Sequence, residues 1–178
     1  MRRKNPRPWL VVAVLVLALW LGGCGYHVAG RADLLPKNIK TIAVPAFTNA
    51  TIRYKLTERL PSAITREFLS RTRYRIVADP AEADAVLEGR VALYNYYPTI
   101  LDPATSRASA VQMSVVLDIS LRERATGAVL FARSGLEARE RYEISVDQVA
   151  YFEESDPALD RLSRDVARTV VSAVLEKF

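Results

Sequence analysis

The chain has 178 residues, half of them hydrophobic, with 25 basic and 20 acidic side chains. That is the length of one domain with a short appendage, and enough apolar content for a sizeable core. The formal charge of +5 is unevenly placed: Arg2, Arg3, Lys4 and Arg7 lie in residues 1–23, which hold no acid, and the remaining 21 basic residues face 20 acidic ones. A body so balanced gives no charge argument for nucleic acid. With one cysteine and one histidine, Cys24 and His27, the chain lacks the partners for an internal disulfide or a His/Cys metal centre.

The first segment, MRRKNPRP, is a basic n-region. Trp9 to Leu21 is then an uninterrupted apolar run of thirteen residues. That is short of the ~20 that cross a bilayer and within the ~7–15 of a secretory h-region. Leu21-Gly22-Gly23-Cys24 follows and resembles the lipobox of bacterial lipoproteins, with leucine at −3, small residues at −2 and −1, and cysteine at +1. The alternative is a plain signal peptide or signal anchor with an incidental cysteine. The lipobox implies S-diacylglyceryl attachment at Cys24, cleavage before it, and N-palmitoylation of the new terminus. Each buried CH₂ contributes ~0.8 kcal/mol, and two or more chains make anchoring stable. Gly25 stands where an aspartate implies inner-membrane retention in enteric lipoproteins, so outer-membrane sorting is favoured. The expected organisation is a signal peptide over 1–23, a lipidated tether over 24–38 and a single domain over 39–178.

Lys40 to Phe47 has the β-branched and apolar content of a strand, and Pro45, which cannot donate to a ladder, marks its end or an edge. Leu56, Leu60, Ala63, Ile64 and Phe68 recur at helical spacing, with Glu58, Arg59, Ser62, Arg66 and Ser70 opposite; this predicts an amphipathic helix. Pro61 is tolerable only near a first turn, which puts the start of the regular helix around Thr57 to Leu60. Residues 74–77 form a short strand, and ADPAEADA a turn with at most one helical turn. Ala85 to Tyr97 reads as a longer strand, with Leu87, Val91 and Leu93 on one side and Glu88, Arg90, Tyr94 and Tyr96 on the other. Residues 98–108 form a loop.

Ser109 to Arg124 has the cleanest alternation: Val111, Met113, Val115, Leu117, Ile119 and Leu121 point one way, polar residues the other. This is a half-buried antiparallel strand. Ala125 to Ala128, containing Gly127, turns the chain into a return strand over 129–142, a hairpin long enough to project from the body. Asp156-Pro157 reads as an N-cap and N1 proline, opening a helix whose Leu159, Leu162, Val166, Val170, Ala173 and Val174 share one stripe. The fold class is α+β: two helices packed on one face of a mostly antiparallel sheet, in strand-helix-strands-helix order.

No catalytic set emerges. A Ser-His-Asp triad would have to use His27, beside the lipid anchor, and no GxSxG, P-loop or GxGxxG occurs. Glu82, Asp84, Glu153, Glu154 and Asp156 read as solvated turns and caps. Asn49-Ala50-Thr51 matches a glycosylation sequon, discounted beside a bacterial lipobox. The expectation is a binding or assembly module, not an enzyme, with no cofactor and no metal. Two features can carry binding. Tyr94, Asn95, Tyr96, Tyr97 and Pro98 run into the loop, and tyrosine suits half-wet interfaces; equally, such a strand end can pack on its own sheet. Arg90, Arg107, Arg122, Arg124, Arg133, Arg139 and Arg141 form an outward row suited to phosphates; equally, it can be a charged sheet face paired with Glu88, Asp118, Glu137 and Glu140.

Cys24-Gly25-Tyr26-His27-Val28 with Gly30, then IKTIAVPAFTN, KLTERLPSAITREF and DAVLEGRV, resemble the LptE family of outer-membrane lipoproteins of lipopolysaccharide assembly. The resemblance runs the length of the mature chain. It implies two helices on one side of a four-stranded, mostly antiparallel mixed sheet. It also implies a location at the outer membrane, lipid-anchored on the periplasmic side, and two partners besides that membrane: an LptD-like β-barrel, plugged and helped to assemble by this chain, and lipopolysaccharide. Tyr96, Tyr97 and Pro98 are then candidates for the plug tip. Arg90, Arg107 and Arg122 are candidates for lipid A phosphate contacts, on their chemistry alone. IAVPAFTN also resembles the opening strand of lipoproteins that activate periplasmic cell-wall synthases or form secretion pores, which is the alternative function.

Overall fold

A computed structural model describes residues 35–101, 103, 106–144 and 148–177, without the side chains of 148–154. Cys24, His27, the tether as far as residue 34, and the Glu153 and Glu154 side chains lie outside the described residues. The elements are β1 (Thr41–Ala43), β2 (Thr48–Asn49), α1 (Leu56–Arg71), β3 (Arg75–Val77), β4 (Ala85–Leu101), β5 (Ala108–Glu123), β6 (Val129–Glu143) and α2 (Gln148–Glu176). A single 3₁₀ turn at Pro80–Glu82 joins β3 to β4.

The sheet runs in the order β3-β1-β4-β5-β6, with β2 also paired to β4. It is mixed for a topological reason. The chain leaves β1, crosses through α1 and returns as β3, and such a crossover gives a parallel pair; β1 is also parallel to β4. The tight connections β4–β5 and β5–β6 give antiparallel pairs. The sheet has six strands rather than the implied four, because the short β3 adds an edge strand and Pro45 splits the first one. Its ladder ends at Ala43 and resumes as β2, where Thr48 stands against Arg90.

The split is held by two contacts. Pro61 lies inside α1, so Thr57, four residues earlier, loses the N–H that would bond its carbonyl. The Phe47 N–H donates to that carbonyl at 3.1 Å. The proline thus does not delay the helix, which starts at Leu56, and the orphaned acceptor ties the β1–β2 link to α1. The Phe47 side chain is buried and its ring lies on Gly89, where any β-carbon would collide with it.

On β5, Val111, Met113, Val115, Leu117, Ile119 and Leu121 are all buried, as their alternation requires. Two irregularities alter what faces what on the neighbouring strands. Val91 pairs with Leu117 but Leu93 pairs with Val116, so Ala92 is the extra residue of a β-bulge and the alternation flips beyond it. Leu93, expected beside Leu87 and Val91, is exposed on the outer face; Tyr94, expected outside, packs against the core. On β6, the register jumps between Leu117–Leu136 and Ile119–Arg133. Gly135 takes the left-handed conformation there and its N–H donates to Asp118 Oδ1 at 3.1 Å. The jump places Arg133 opposite core-facing Ile119, which removes it from the outward arginine row.

Both helices cover the inner face. The buried side of α1 is Leu56, Leu60, Ala63, Ile64 and Phe68, the stripe read from the sequence. The buried side of α2 includes Ala158, Leu159, Leu162, Val166, Val170 and Val174. They run parallel: Arg59 pairs with Asp156 and Asp160 near their starts, and Arg71 reaches Ser172 near their ends. Asp156-Pro157 is not the start of α2, which begins at Gln148. The Asp156 carboxylate is claimed instead by Lys55 Nζ and Arg59, a partner set no local reading reveals. β4 also continues to Leu101, so the expected 98–108 loop shrinks.

Candidate functional site

The long strands give the domain two ends with different chemistry. At one end β1 and β4 begin side by side, and Asp84 staples them. Its Oδ2 accepts from the Lys40 N–H at 2.8 Å and the Thr41 N–H at 2.9 Å. Its own N–H donates to Thr41 Oγ1, and Arg124 N–H and Nε–H close on Asp84 O and Ala83 O. The Lys40 and Thr41 hydrogen bonds hold the Asp84 carboxyl below the usual carboxylate range, against a small opposing effect of burial. At the other end stands the β4–β5–β6 hairpin. From Ala85 to Leu101 at ~3.3 Å per residue, the two ends are roughly 50 Å apart.

Tyr96, Tyr97 and Pro98 lie within β4, in the shaft of the hairpin rather than in its terminal loop. Tyr96 and Pro98 stand opposite Met113 and Val111 on the helix side; Tyr97 stands opposite Gln112 on the outer face and accepts a hydrogen bond from Gln112 Nε2 at 2.9 Å. Tyr96 is 40% and Tyr97 43% exposed, and Leu93, Ile100 and Leu101 are exposed beside them. Tyr94 is half-buried, with Arg53 above its ring at 5.3 Å. That contact brings in the loop from Ala50 to Lys55, whose Ile52 and Tyr54 belong to no periodic pattern in the sequence. Ile52 is 94% and Tyr54 75% exposed there. The loop is built by Asn49, whose Nδ2 donates to Arg53 O and whose Oδ1 accepts from Thr51 N–H and Oγ1. The signal was two large apolar residues in a segment without period.

The candidate arginines separate. Arg90 and Arg122 share the outer face of β4 and β5, Arg90 opposite Asp118. Arg122 pairs with Glu88 at 3.4 Å. Arg107 is exposed just before β5, at the hairpin end, roughly 30 Å along the sheet from Arg90. Further along the outer face Arg139 pairs with Glu137 at 2.7 Å; their hydrogen bond and charge lower the Glu137 pKa and raise that of Arg139. Between the helices, the Lys55 hydrogen bond and the nearby Arg59 charge hold Asp156 below its ordinary range.

Among the described residues no group of three His, Cys, Asp or Glu is placed to hold a metal. No helix among them is long and apolar enough to cross a membrane. One cleft of about 650 Å³ opens at the Asp84 end, lined by Leu35, Lys37, Ile39, Lys40, Thr41, Arg73, Tyr74 and Arg75.

The family model described as LptE, lipopolysaccharide-assembly, matches residues 39–174. No curated protein matches the chain by sequence. Among solved structures, the rare lipoprotein B of Shewanella oneidensis superposes with a TM-score of 0.53 at 11% identity, covering 77% of this chain and 95% of that one. A lipoprotein B of Nitrosomonas europaea gives 0.51 at 16% identity, covering 86% and 96%. A PelC dodecamer of Paraburkholderia phytofirmans gives 0.51 at 18% identity, covering 78% and 88%. At these identities the likeness establishes the shared α+β fold.

Proposed function

The chain belongs to the LptE family of lipopolysaccharide-assembly proteins, and from that premise we propose that it is an outer-membrane lipoprotein that plugs and helps assemble an LptD-like β-barrel and binds lipopolysaccharide on its way to the outer leaflet. Its work is binding and positioning rather than catalysis. Cys24 carries the acyl chains, and the tether 24–38 links them to the domain 39–178. The observation that carries the plug reading is the hairpin. Leu93, Tyr96, Tyr97, Ile100 and Leu101 stand exposed on a stiff three-stranded shaft, on the end opposite the one where the N-terminal chain enters. Amphipathic aromatic side chains of this kind bury well against a partner wall while keeping a polar tip satisfied, as Tyr97 already does with Gln112. Arg90 and Arg122 on the outer face offer guanidinium forks to lipid A phosphates; Arg107 offers another at the hairpin end.

Site-specific photocrosslinking from position 97 in the intact cell envelope tests the reading. The expected product contains a large outer-membrane β-barrel. A crosslink to a penicillin-binding protein would replace this reading with that of a synthase activator. A second reading, self-assembly into a ring, is favoured by the PelC dodecamer sharing this fold, and a crosslinked ladder of this chain alone would support it.

A further inference from the structure

The cleft at the Asp84 end has a composition that the plug role does not use. Its floor is apolar and buried: Leu35, Ile39 and Tyr74, with the Leu35 N–H donating to Tyr74 Oη at 3.1 Å. Its rim is cationic. Lys37 and Lys40 come from the segment entering β1, and Arg73 and Arg75 from the one entering β3. The parallel register that sets Thr41 against Arg75, with Arg75 N–H bonded to Lys40 O, brings the two pairs together. All four side chains are exposed, and none makes an ion pair among the described residues. The carboxylates close by are engaged elsewhere: Asp84 by the Lys40 and Thr41 N–H groups, Glu123 by Asn38 and Thr126. Four cations without an ion pair among the described residues, over an apolar floor, suit a phosphodiester joined to a hydrocarbon body.

We propose that this cleft binds the headgroup of an anionic glycerophospholipid in the leaflet to which the chain is tethered. This rests on the lipid-anchor part of the function proposed above but not on the barrel or on lipopolysaccharide. The placement argues for a membrane surface. Leu35, the first lining residue, stands eleven positions after Cys24, so at ~3.3–3.6 Å per step the cleft lies within about 40 Å of the anchor however the tether runs. The hairpin end, roughly 50 Å from the cleft along β4, carries the exposed aromatics instead. A bound headgroup would fix the orientation of the domain on its leaflet, with the hairpin pointing away from it.

The test is native mass spectrometry of the detergent-solubilised full chain with equimolar dioleoylphosphatidylglycerol and dioleoylphosphatidylcholine in the micelle. The expected result is one retained phosphatidylglycerol per chain, lost in Lys37→Gln/Lys40→Gln/Arg73→Gln/Arg75→Gln. Each cation near an anionic surface changes affinity about fivefold, so the quadruple variant should bind on the order of a hundredfold or more weakly. Lys37→Gln/Lys40→Gln and Arg73→Gln/Arg75→Gln alone should fall between, which keeps the test readable if the quadruple variant misfolds. A control removing Arg66, Arg164 and Arg168, outside the cleft, should bind normally. Equal retention of phosphatidylcholine, an undiminished quadruple variant, or competition by inorganic phosphate as strong as by lipid would each overturn the proposal. So would preferential displacement by purified lipopolysaccharide, which would assign the cleft to that lipid. A failed photocrosslink from position 97 leaves this measurement unaffected.

Discussion

The ring of Phe47 rests directly on Gly89: a β-carbon added to the glycine would collide with Phe47 Cε2. The absence of a side chain on β4 is therefore what lets the link between β1 and β2 fold down onto the sheet. Gly89→Ala should force the ring and its chain outward, with the ~1–3 kcal/mol cost usual for overpacking. Chemical denaturation followed by circular dichroism would show the loss. Phe47→Leu in the same chain should return part of it, so that the two changes are not additive. Additive losses would mean that the contact is not the source of the strain.

That relationship also marks the boundary of what the amino-acid order makes legible. β5 and α1 were readable because each buries one face, and burial writes its period into the residues themselves. The flip at Ala92 was not, because a bulge is set by the partner strand, and Val116 lies in a different segment. Asp156-Pro157 looks like a helix start by every local rule; the carboxylate that would cap is occupied by Lys55 and Arg59, about a hundred residues earlier. Tyr96, Tyr97 and Pro98 stood out as an aromatic cluster, whereas Ile52 and Tyr54 have no periodic neighbours to draw attention to them. The basic cleft was invisible for the same reason as the cap: its two halves meet only through the register of β1 and β3.

Stability should carry the signature of Asp84. Its folded pKa is lowered by the Lys40 and Thr41 N–H groups, so its contribution is present above the unfolded value of ~3.9. That contribution is lost as pH falls through the folded value. Asp84→Asn keeps an acceptor but removes the charge. It should lower stability by on the order of 1 kcal/mol at pH 6, and the gap to the unsubstituted chain should close below about pH 4. Asp156 is shifted in the same direction, so Asp84→Asn/Asp156→Asn should have the flattest profile. Melting temperatures from pH 3 to pH 7 would show it; a gap independent of pH would remove the charge from the explanation.

Cys24→Ala should abolish palmitate labelling and block maturation, leaving a chain longer by the 23 residues of the proposed signal peptide. Its apolar run would still draw it to membranes, so labelling and mass, not fractionation, are the deciding readouts. Palmitate incorporation in the variant would place the anchor elsewhere.

The separation of the arginines makes lipopolysaccharide binding divisible. Arg90 and Arg122 lie on one stretch of the outer face, whereas Arg107 stands at the hairpin end, too far away to touch the same phosphate. Arg122 is already paired with Glu88, and both side chains are about half exposed, so the pair itself is worth little and its guanidinium is available for exchange. Arg90 has no ion pair among the described residues, and Asp118 opposite it accepts the Gly135 N–H. Arg90→Glu/Arg122→Glu should therefore weaken lipopolysaccharide binding by roughly tenfold or more, at ~1.5–3 kcal/mol for a hydrogen bond to a charged group. Circular dichroism should stay unchanged, because both side chains are on the solvated face. Arg107→Glu should act independently, so that the triple variant shows the product of the two effects. Binding to immobilised lipopolysaccharide at two salt concentrations would measure both. If charge reversal at Arg90 and Arg122 leaves binding intact while Arg107→Glu removes it, lipid A is met at the hairpin and not along the sheet.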